Sequence, residues 1–114
     1  MDETKIKLIL RKFSKKRNWD QFHTLRNLAT ALSVEASELL EIFQWFNEDK
    51  TKKIDKNLKN KISEEVADIM LYLIRFSDIA KINIEEECLK KIKKNKKKYP
   101  IKLSKGISKK YNEL

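Results

Sequence analysis

The sequence predicts an all-α fold, a bundle of about four helices. Its 114 residues include one glycine and one proline, and a chain so poor in turn-forming residues is hard to build from strands joined by tight hairpins. Apolar residues also recur at the spacing of helix turns in successive segments. Because this length supports one modest core, we expect a single domain over residues 1–114, with residues 100–114 as its C-terminal tail.

The first two predicted helices are separated by a short connector. Apolar residues three and four apart predict a first helix that ends near Arg17. The segment "NWDQFH" follows as the connector, and Thr24 then has the position and the side chain of an N-terminal cap. We expect the second helix to run to about Trp45, before an exposed polar loop, "NEDKTKK".

The last two predicted helices have recognisable ends. Asp55 is the expected cap of the third helix, which continues to about Ala80. The segment "NIEE" resembles a capping box, in which the asparagine caps the fourth helix and the final glutamate reaches back. That helix is expected to run to about Lys98, because Pro100 stops it.

Basic side chains are concentrated near the C-terminal end of the sequence. The formal net charge is +10, and residues 90–110 carry eleven lysines and no acidic residue. Such a surface favours phosphate-bearing partners, either nucleic acid or nucleotides. A solvated lysine-rich face accounts for the same run equally well, so both readings stay open.

The cysteine content and the apolar runs indicate where the protein acts. Cys88 is the only cysteine, so no internal disulfide can form, which suits a reducing compartment. The most apolar run, "IMLYLI", is followed by Arg75 and is far too short to cross a bilayer. We therefore expect a cytoplasmic protein with neither a signal peptide nor a membrane partner.

Glu35 is out of place on its predicted helix. On a helical wheel, Leu28 and Phe46 lie within about 20° of it, so a carboxylate occupies the midline of the apolar stripe. The third helix repeats the pattern, because Tyr72 lies within about 20° of Glu65. The same wheel predicts that Tyr72 faces this acidic site.

Each of these helices carries an acidic pair at i and i+3, Glu35 with Glu38 and Glu65 with Asp68. A buried carboxylate is costly unless it takes up a proton or meets positive charge. A lysine or arginine, shared protons or a divalent cation would meet that need. Oxygen ligands without a cysteine or histidine cluster suit a hard cation such as Mg²⁺ or Mn²⁺. Mg²⁺ commonly shares its remaining positions with substrate phosphates, which would connect the acidic pairs with the basic surface.

These acidic pairs resemble a known motif. "EASE" and "EVAD" match the E-x-x-E…E-x-x-D pattern of the MazG-like all-α nucleoside triphosphate pyrophosphohydrolases. Three further segments, in order, are similar to the dCTP pyrophosphatase branch of that family: "FQW", "LYL" and "NKKKYP". The resemblance runs from about Arg17 to the C-terminus. The first helix is only generically similar, and Leu10 stands where some relatives place a polar aromatic ring near the base.

The resemblance implies a fold and an activity. The second and third helices would pack antiparallel in a bundle that assembles as a homodimer or as a tetramer of two dimers. The reaction would hydrolyse a nucleoside triphosphate between the α and β phosphates, giving the monophosphate and pyrophosphate, in housecleaning of the nucleotide pool. The substrate that the resemblance suggests first is dCTP or a modified dCTP, with broader dNTP use as the alternative. Mg²⁺ is the implied cofactor, and Mn²⁺ is the alternative ion.

The resemblance also implies roles for individual residues. The implied metal ligands are Glu35, Glu38, Glu65 and Asp68. An outer carboxylate, either Glu38 or Glu41, would help a metal ion to hold the attacking water. The residues expected to bind substrate are Trp19, His23, Trp45, Tyr72, Lys91 and Asn95. Of these, the tryptophans would form aromatic walls around the base, with plain core packing as the alternative. The single histidine is expected at the pocket edge or as a cap rather than as a catalytic base.

Two other functions stay open on the sequence alone. A small basic helical protein that binds nucleic acid would use the lysines of residues 90–110, but it leaves the paired acids unexplained, so nucleic acid is not the partner that we expect. A structural or partner-binding bundle would instead pair the acids with lysines across a subunit interface.

Overall fold

The computed structural model describes residues 1–46 and 53–113, and over these ranges it contains helices and no strand. The predicted all-α class is confirmed. The helices are α1 (Glu3–Lys16), α2 (Leu25–Ile42), α3 (Lys56–Ile79), α4 (Ile84–Lys98) and α5 (Ile101–Ser104). The predicted connector between α1 and α2 contains a single 3₁₀ turn, Asp20–Phe22. None of the helices in the described ranges combines the length and hydropathy that a bilayer crossing needs.

The predicted caps begin their helices. Thr24, Asp55 and Asn83 each accept a hydrogen bond from the backbone N–H three residues later, at 2.8–3.1 Å. Each bond satisfies a donor that the first turn of a helix otherwise leaves without a partner. Asp2, which is not among the predicted caps, does the same for α1.

Three of the four predicted helix ends are correct to within one residue, and the exception is α2. It ends at Ile42 rather than at about Trp45, because the chain enters a tight turn in which the N–H of Phe46 donates to the carbonyl of Phe43 at 3.1 Å. That turn brings the two phenylalanine rings into an edge-to-face contact at 5.8 Å. Except for Lys53, the predicted polar loop lies outside the described residues.

The chain divides into two compact units, residues 1–81 and 82–114, and each is described by itself. In the first unit, α2 packs against α3, and α1 also packs against α3. The second unit contains α4 and α5. In its tail, Gly106 adopts φ +81°, a left-handed conformation that glycine reaches without steric penalty. The expectation of one domain over the whole chain stays a prediction.

Helices α2 and α3 run antiparallel. His23, just before α2, bonds to Arg75 near the end of α3, whereas Glu35 in the middle of α2 meets Glu65 in the middle of α3. Residue numbers therefore rise along one helix as the numbers of their partners fall along the other. This direction is the one that the resemblance implies.

The apolar core is small. Among the described residues, Leu28 and Ile74 are the large apolar side chains that are almost fully buried. Other apolar side chains on the same two helices remain open to solvent, with Leu40 72% and Val66 50% exposed. A chain of this length ordinarily buries more apolar surface, so these exposed side chains are candidates for a contact with another molecule.

Candidate active site

Three carboxylates meet between α2 and α3. One oxygen from each of Glu35, Glu38 and Glu65 lies within 4.8 Å of the other two, and we call this group the carboxylate cluster. Antiparallel packing brings the midline acid of one helix opposite that of the other. Asp68 lies one turn after Glu65 and is not part of this group, although its negative charge reaches both midline glutamates. The structure thus brings together three of the four predicted metal ligands.

Two oxygens of the carboxylate cluster are shielded from water. Glu35 Oε2 and Glu65 Oε2 are buried and have no hydrogen-bond partner among the described residues. The pKa of Glu35 is raised to about 7, mainly by burial. Hydrogen bonds to Glu38 and Glu65 and the charges of Glu38 and Asp68 add to this rise. Burial also raises the pKa of Glu65, although a hydrogen bond from Glu35 opposes this change. The protein therefore holds negative charge here at a cost in free energy.

Neither Arg75 nor Arg26 neutralises the carboxylate cluster. Arg75 directs its three nitrogens to His23, Asp20 and Asp78. Arg26 is exposed and forms no ion pair with the cluster in the part of the chain that the structure describes. Shared protons and a bound cation remain as explanations within one chain, and lysines of another chain remain as the alternative.

The donor set fits a hard divalent cation. The cluster offers carboxylate oxygens alone, two of which are buried without a partner, and Mg²⁺ and Mn²⁺ prefer oxygen ligands. Within the described residues no nitrogen or sulfur ligand joins it, since His23 bonds elsewhere and Cys88 is exposed on α4. A cation held here would relieve the repulsion among the acids.

A cavity of about 290 Å³ lies in the first unit, lined by α1, the connector, α2 and α3. Its walls include the aromatic rings of Phe13, Trp19 and Tyr72. The polar groups in its lining are Ser14, His23, Asp68 and Arg75. Because Asp68 lines the cavity and lies one helix turn after Glu65 of the cluster, the two features are neighbours along α3. A mostly apolar cavity with a few polar groups is typical of a site for a small ligand.

The connector places Trp19 in this cavity. Asn18 adopts φ +54°, a conformation that asparagine tolerates better than most residues, and the N–H of Trp19 then donates to the carbonyl of Ser14 at 2.9 Å. The indole ring contacts Phe13 edge to face at 5.7 Å and His23 at 6.4 Å. Trp19 is nevertheless 44% exposed, so one part of the ring is open to a ligand.

His23 has two side-chain partners that the sequence pattern did not predict. Arg75 Nε donates to His23 Nδ1 at 3.0 Å, and the buried hydroxyl of Ser14 lies 3.4 Å from the same nitrogen. Burial and the charge of Arg75 lower the pKa of His23, while Asp20 opposes them. The sequence contains one indication that Arg75 lies near the site. Arg75 follows Asp68 by seven residues, about two helix turns, so the two side chains lie on the same face of the helix.

Four other predicted site residues lie outside the cavity and the cluster. Glu41 is exposed and lines a separate surface cavity with Leu40. Trp45 is 89% exposed just after α2. Lys91 and Asn95 are exposed on α4, in the second unit. Their roles stay predictions.

Comparison with known proteins relates this arrangement to a family. The family model described as MazG-like matches residues 30–114, which include all three acids of the carboxylate cluster. The chain belongs to the MazG-like family. The family predicted from the acidic pairs is thereby confirmed.

Individual relatives of this MazG-like chain carry names that refer to pyrophosphatases. It is 32% identical to dCTP pyrophosphatase 1 of Bos taurus over 111 residues, which are 96% of this chain and 66% of that protein. For dCTP pyrophosphatase 1 of Homo sapiens the identity is also 32%, over 65% of that protein. The chain thus spans just under two thirds of the length of these relatives. The crystal structure of a pyrophosphatase from Archaeoglobus fulgidus matches with 41% identity and a TM-score of 0.72, over 81% of this chain and 86% of that one.

Proposed function

We propose that the protein is a metal-dependent nucleoside triphosphate pyrophosphohydrolase that cleaves between the α and β phosphates. The observation that carries this proposal is the carboxylate cluster, in which two buried oxygens lack a partner beside a cavity suited to a small ligand. Family membership and the pyrophosphatase named among its relatives support the same reaction. The two relatives named dCTP pyrophosphatase 1 make dCTP, or a modified dCTP, the first substrate to test, with broader dNTP use as the alternative.

Mg²⁺ is the proposed cofactor, with Mn²⁺ as the alternative. Glu35, Glu38 and Glu65 would hold the ion, and Asp68 would complete the set from the cavity side. When bound, such an ion would neutralise negative charge on the phosphates and would lower the pKa of a water molecule bound to it. The acids themselves contribute an electrostatic site that is arranged before the substrate arrives.

Glu38 is the better candidate for orienting the attacking water. The resemblance alone leaves Glu38 and Glu41 equal. Glu38 belongs to the carboxylate cluster, whereas Glu41 is exposed beside Leu40. An acid that orients the nucleophile has to lie within hydrogen-bond reach of it, and this favours the residue within the cluster.

The cavity is the proposed site of the nucleobase. Trp19 offers an aromatic face, and stacking on such a face is worth about 1–3 kcal/mol per base. Tyr72 lines the same cavity within one turn of Asp68, so it would lie between base and phosphates. Roles for Trp45, and for Lys91 and Asn95 beside the sugar and phosphates, are proposed from the resemblance to the family.

Self-association is part of the proposal. The small core, together with exposed apolar residues such as Leu40 and Val66, supports a second copy of this chain as the covering partner. The acids between α2 and α3 would then lie in an assembly that excludes water more completely. A homodimer and a tetramer built from dimers both fit this proposal, and the cytoplasm is its proposed location.

A panel of nucleotides tests the reaction directly. The protein is mixed with each dNTP and rNTP and with Mg²⁺, and the products are separated by ion-exchange chromatography. We expect dCMP and pyrophosphate from dCTP, and loss of both with EDTA or in Glu35→Gln. Release of inorganic phosphate with dCDP would contradict cleavage between the α and β phosphates, and no hydrolysis of any nucleotide would reject the proposal.

The lysines of α4 favour a second function, binding of nucleic acid. Lys90, Lys91 and Lys94 line one surface groove, although Lys90 also pairs with Glu86 and Glu87. Binding of this kind would weaken steeply as salt rises. A gel shift with duplex DNA near physiological ionic strength that is unchanged in Glu35→Gln would support this function instead.

A further inference from the structure

The hydrogen bonds of His23 determine which ring nitrogen carries its proton. Arginine Nε always bears a hydrogen and can only donate. Because Arg75 Nε lies 3.0 Å from His23 Nδ1 and donates to it, Nδ1 has to be the acceptor. The imidazole is therefore neutral, with its hydrogen on Nε2. The lowered pKa of His23 agrees with a neutral ring.

The free nitrogen of this ring is available to a ligand. Both side-chain hydrogen-bond contacts of His23 among the described residues are made by Nδ1, one with Arg75 and one with Ser14. His23 lines the cavity. In the part of the chain that the structure describes, its Nε2 has no hydrogen-bond partner and is not among the fully buried polar atoms. It is an N–H donor without a partner beside the aromatic walls.

Arg75 itself is not available to a phosphate. Its side chain is 10% exposed, and its three nitrogens are directed to three different neighbours. Nε bonds to His23, Nη2 bonds to Asp20 at 3.0 Å, and Nη1 lies 3.7 Å from Asp78. A guanidinium held on both sides by carboxylates keeps one orientation, so its Nε–H stays aimed at the imidazole.

We propose that Arg75 is a positioning residue that fixes His23 as an uncharged Nε2–H donor to an acceptor atom on the nucleobase. The ligand class is a base with a carbonyl oxygen or an unprotonated ring nitrogen on the edge that faces His23, as cytosine has. Only this assignment of the ligand rests on the proposed function. The protonation of the ring does not depend on it.

Nitrogen NMR tests the protonation without any nucleotide. The chain has a single histidine, so the two imidazole ¹⁵N signals of a labelled sample belong to His23 alone. At a pH where the ring is neutral, we expect the wild type to carry its hydrogen on Nε2. In Arg75→Met the two neutral forms should mix, whereas Arg11→Met, which removes the other arginine bonded to Asp78, should leave the signals unchanged. A wild-type ring protonated on Nδ1, or signals that Arg75→Met does not change, would overturn the proposal.

Arg75→Lys is the second variant if Arg75→Met proves too unstable to fold. Its side chain keeps a positive charge for the neighbouring carboxylates, but it carries a methylene group at the position where arginine carries Nε–H. It should release Nδ1 in the same way, and unchanged ¹⁵N signals in this variant would also overturn the proposal.

Kinetics test the link to the base. In Arg75→Met we expect KM for dCTP to rise about three- to tenfold, the loss of one neutral hydrogen bond, with kcat little changed. His23→Phe should do the same, and the double variant should be no worse than His23→Phe alone, since Arg75 acts through the ring. Additive losses would reject the positioning role. Absence of turnover in the wild type would reject the proposed function and leave the NMR result standing.

Discussion

Arg11 on α1 and Asp78 on α3 form an ion pair with two hydrogen bonds, Nε to Oδ2 at 2.7 Å and Nη2 to Oδ1 at 2.6 Å. The carboxylate is 8% exposed and the guanidinium 55% exposed. Arg75 approaches the same acid from one turn away. Asp78 therefore fastens α1 to the end of α3 and also holds the arginine that orients His23.

Asp78 makes stability depend on pH in the acid range. The hydrogen bond from Arg11 keeps the pKa of Asp78 below its value in the unfolded chain, against the opposing effect of burial. The stabilisation is thus present above the unfolded pKa, about 3.9, and is lost as the pH falls through the folded pKa. We expect Asp78→Asn to cost about 1 kcal/mol at pH 7, because the exposed arginine is screened by solvent. Urea unfolding at pH 7 and at pH 3 should show a smaller difference between variant and wild type at the lower pH.

Arg11→Gln is the matched control for this ion pair. It should lower stability at pH 7 in the same direction as Asp78→Asn, and the double variant should lose less than the sum of the two. Full additivity would mean that the observed pair contributes nothing measurable.

Mg²⁺ should raise the thermal stability of the protein. The carboxylate cluster is repulsive in the protein alone, and an ion that binds only the folded state stabilises it by mass action. We expect Tm to rise by several degrees in millimolar Mg²⁺. In Glu35→Gln the Tm without metal should itself rise, because one buried charge is gone, and the response to Mg²⁺ should disappear. Scanning calorimetry with and without EDTA measures both effects.

Glu64→Gln provides the comparison for the metal experiment. Glu64 precedes Glu65 but is exposed and lies outside the carboxylate cluster. Its variant should respond to Mg²⁺ like the wild type. An equal response of Glu35→Gln and Glu64→Gln would mean that the ion binds elsewhere.

Local patterns predicted the helices and the placement of the midline acids. Caps such as Thr24 act within one turn, so their effect is readable from neighbouring residues. The meeting of Glu35 and Glu65 followed from their positions on two apolar stripes that have to face each other. Such a pattern indicates which face of a helix points inward, but it does not indicate which acid at the edge of the apolar stripe reaches the carboxylate cluster. For that reason it did not distinguish Glu38, which lies in the cluster, from Asp68, which lines the cavity.

Contacts between distant residues were beyond the local pattern. The bond between Arg75 and His23 joins residues 52 positions apart, and that between Arg11 and Asp78 joins residues 67 apart. No periodicity within one helix relates such pairs, since they depend on how the helices pack. The early end of α2 likewise depends on the turn that Phe43 enters, which a wheel that continues the helix does not anticipate.

The protein should be a homo-oligomer in solution. Few apolar side chains are buried within the chain, and Leu40 on α2 is 72% exposed. Light scattering coupled to size-exclusion chromatography should give two or four times the 13.6 kDa of one chain. A mass of one chain at micromolar concentration would contradict this expectation, and dissociation of the oligomer by Leu40→Glu would identify α2 as part of its interface.

Glu38→Gln should reduce turnover far more than Glu41→Gln. The first variant removes a carboxylate of the cluster, and loss of a group that positions or activates the nucleophile typically costs a factor of about 10² to 10⁴ in kcat. The second removes an exposed acid outside the cluster. Steady-state rates of pyrophosphate release from dCTP measure the two. A larger loss in Glu41→Gln would move the water-orienting role to that residue.

Trp19→Ala should weaken substrate binding more than chemistry. The indole lines the cavity, where the proposed base would stack on it, and about 1–3 kcal/mol of stacking corresponds to a rise in KM of roughly five- to 150-fold. Because stacking acts on the base and the reaction occurs at the phosphates, kcat should change much less. Phe22→Ala is the control, since Phe22 lies in the same connector, is 59% exposed and does not line the cavity. Equal KM values in Trp19→Ala and the wild type, or an equal rise in Phe22→Ala, would mean that the base binds outside this cavity.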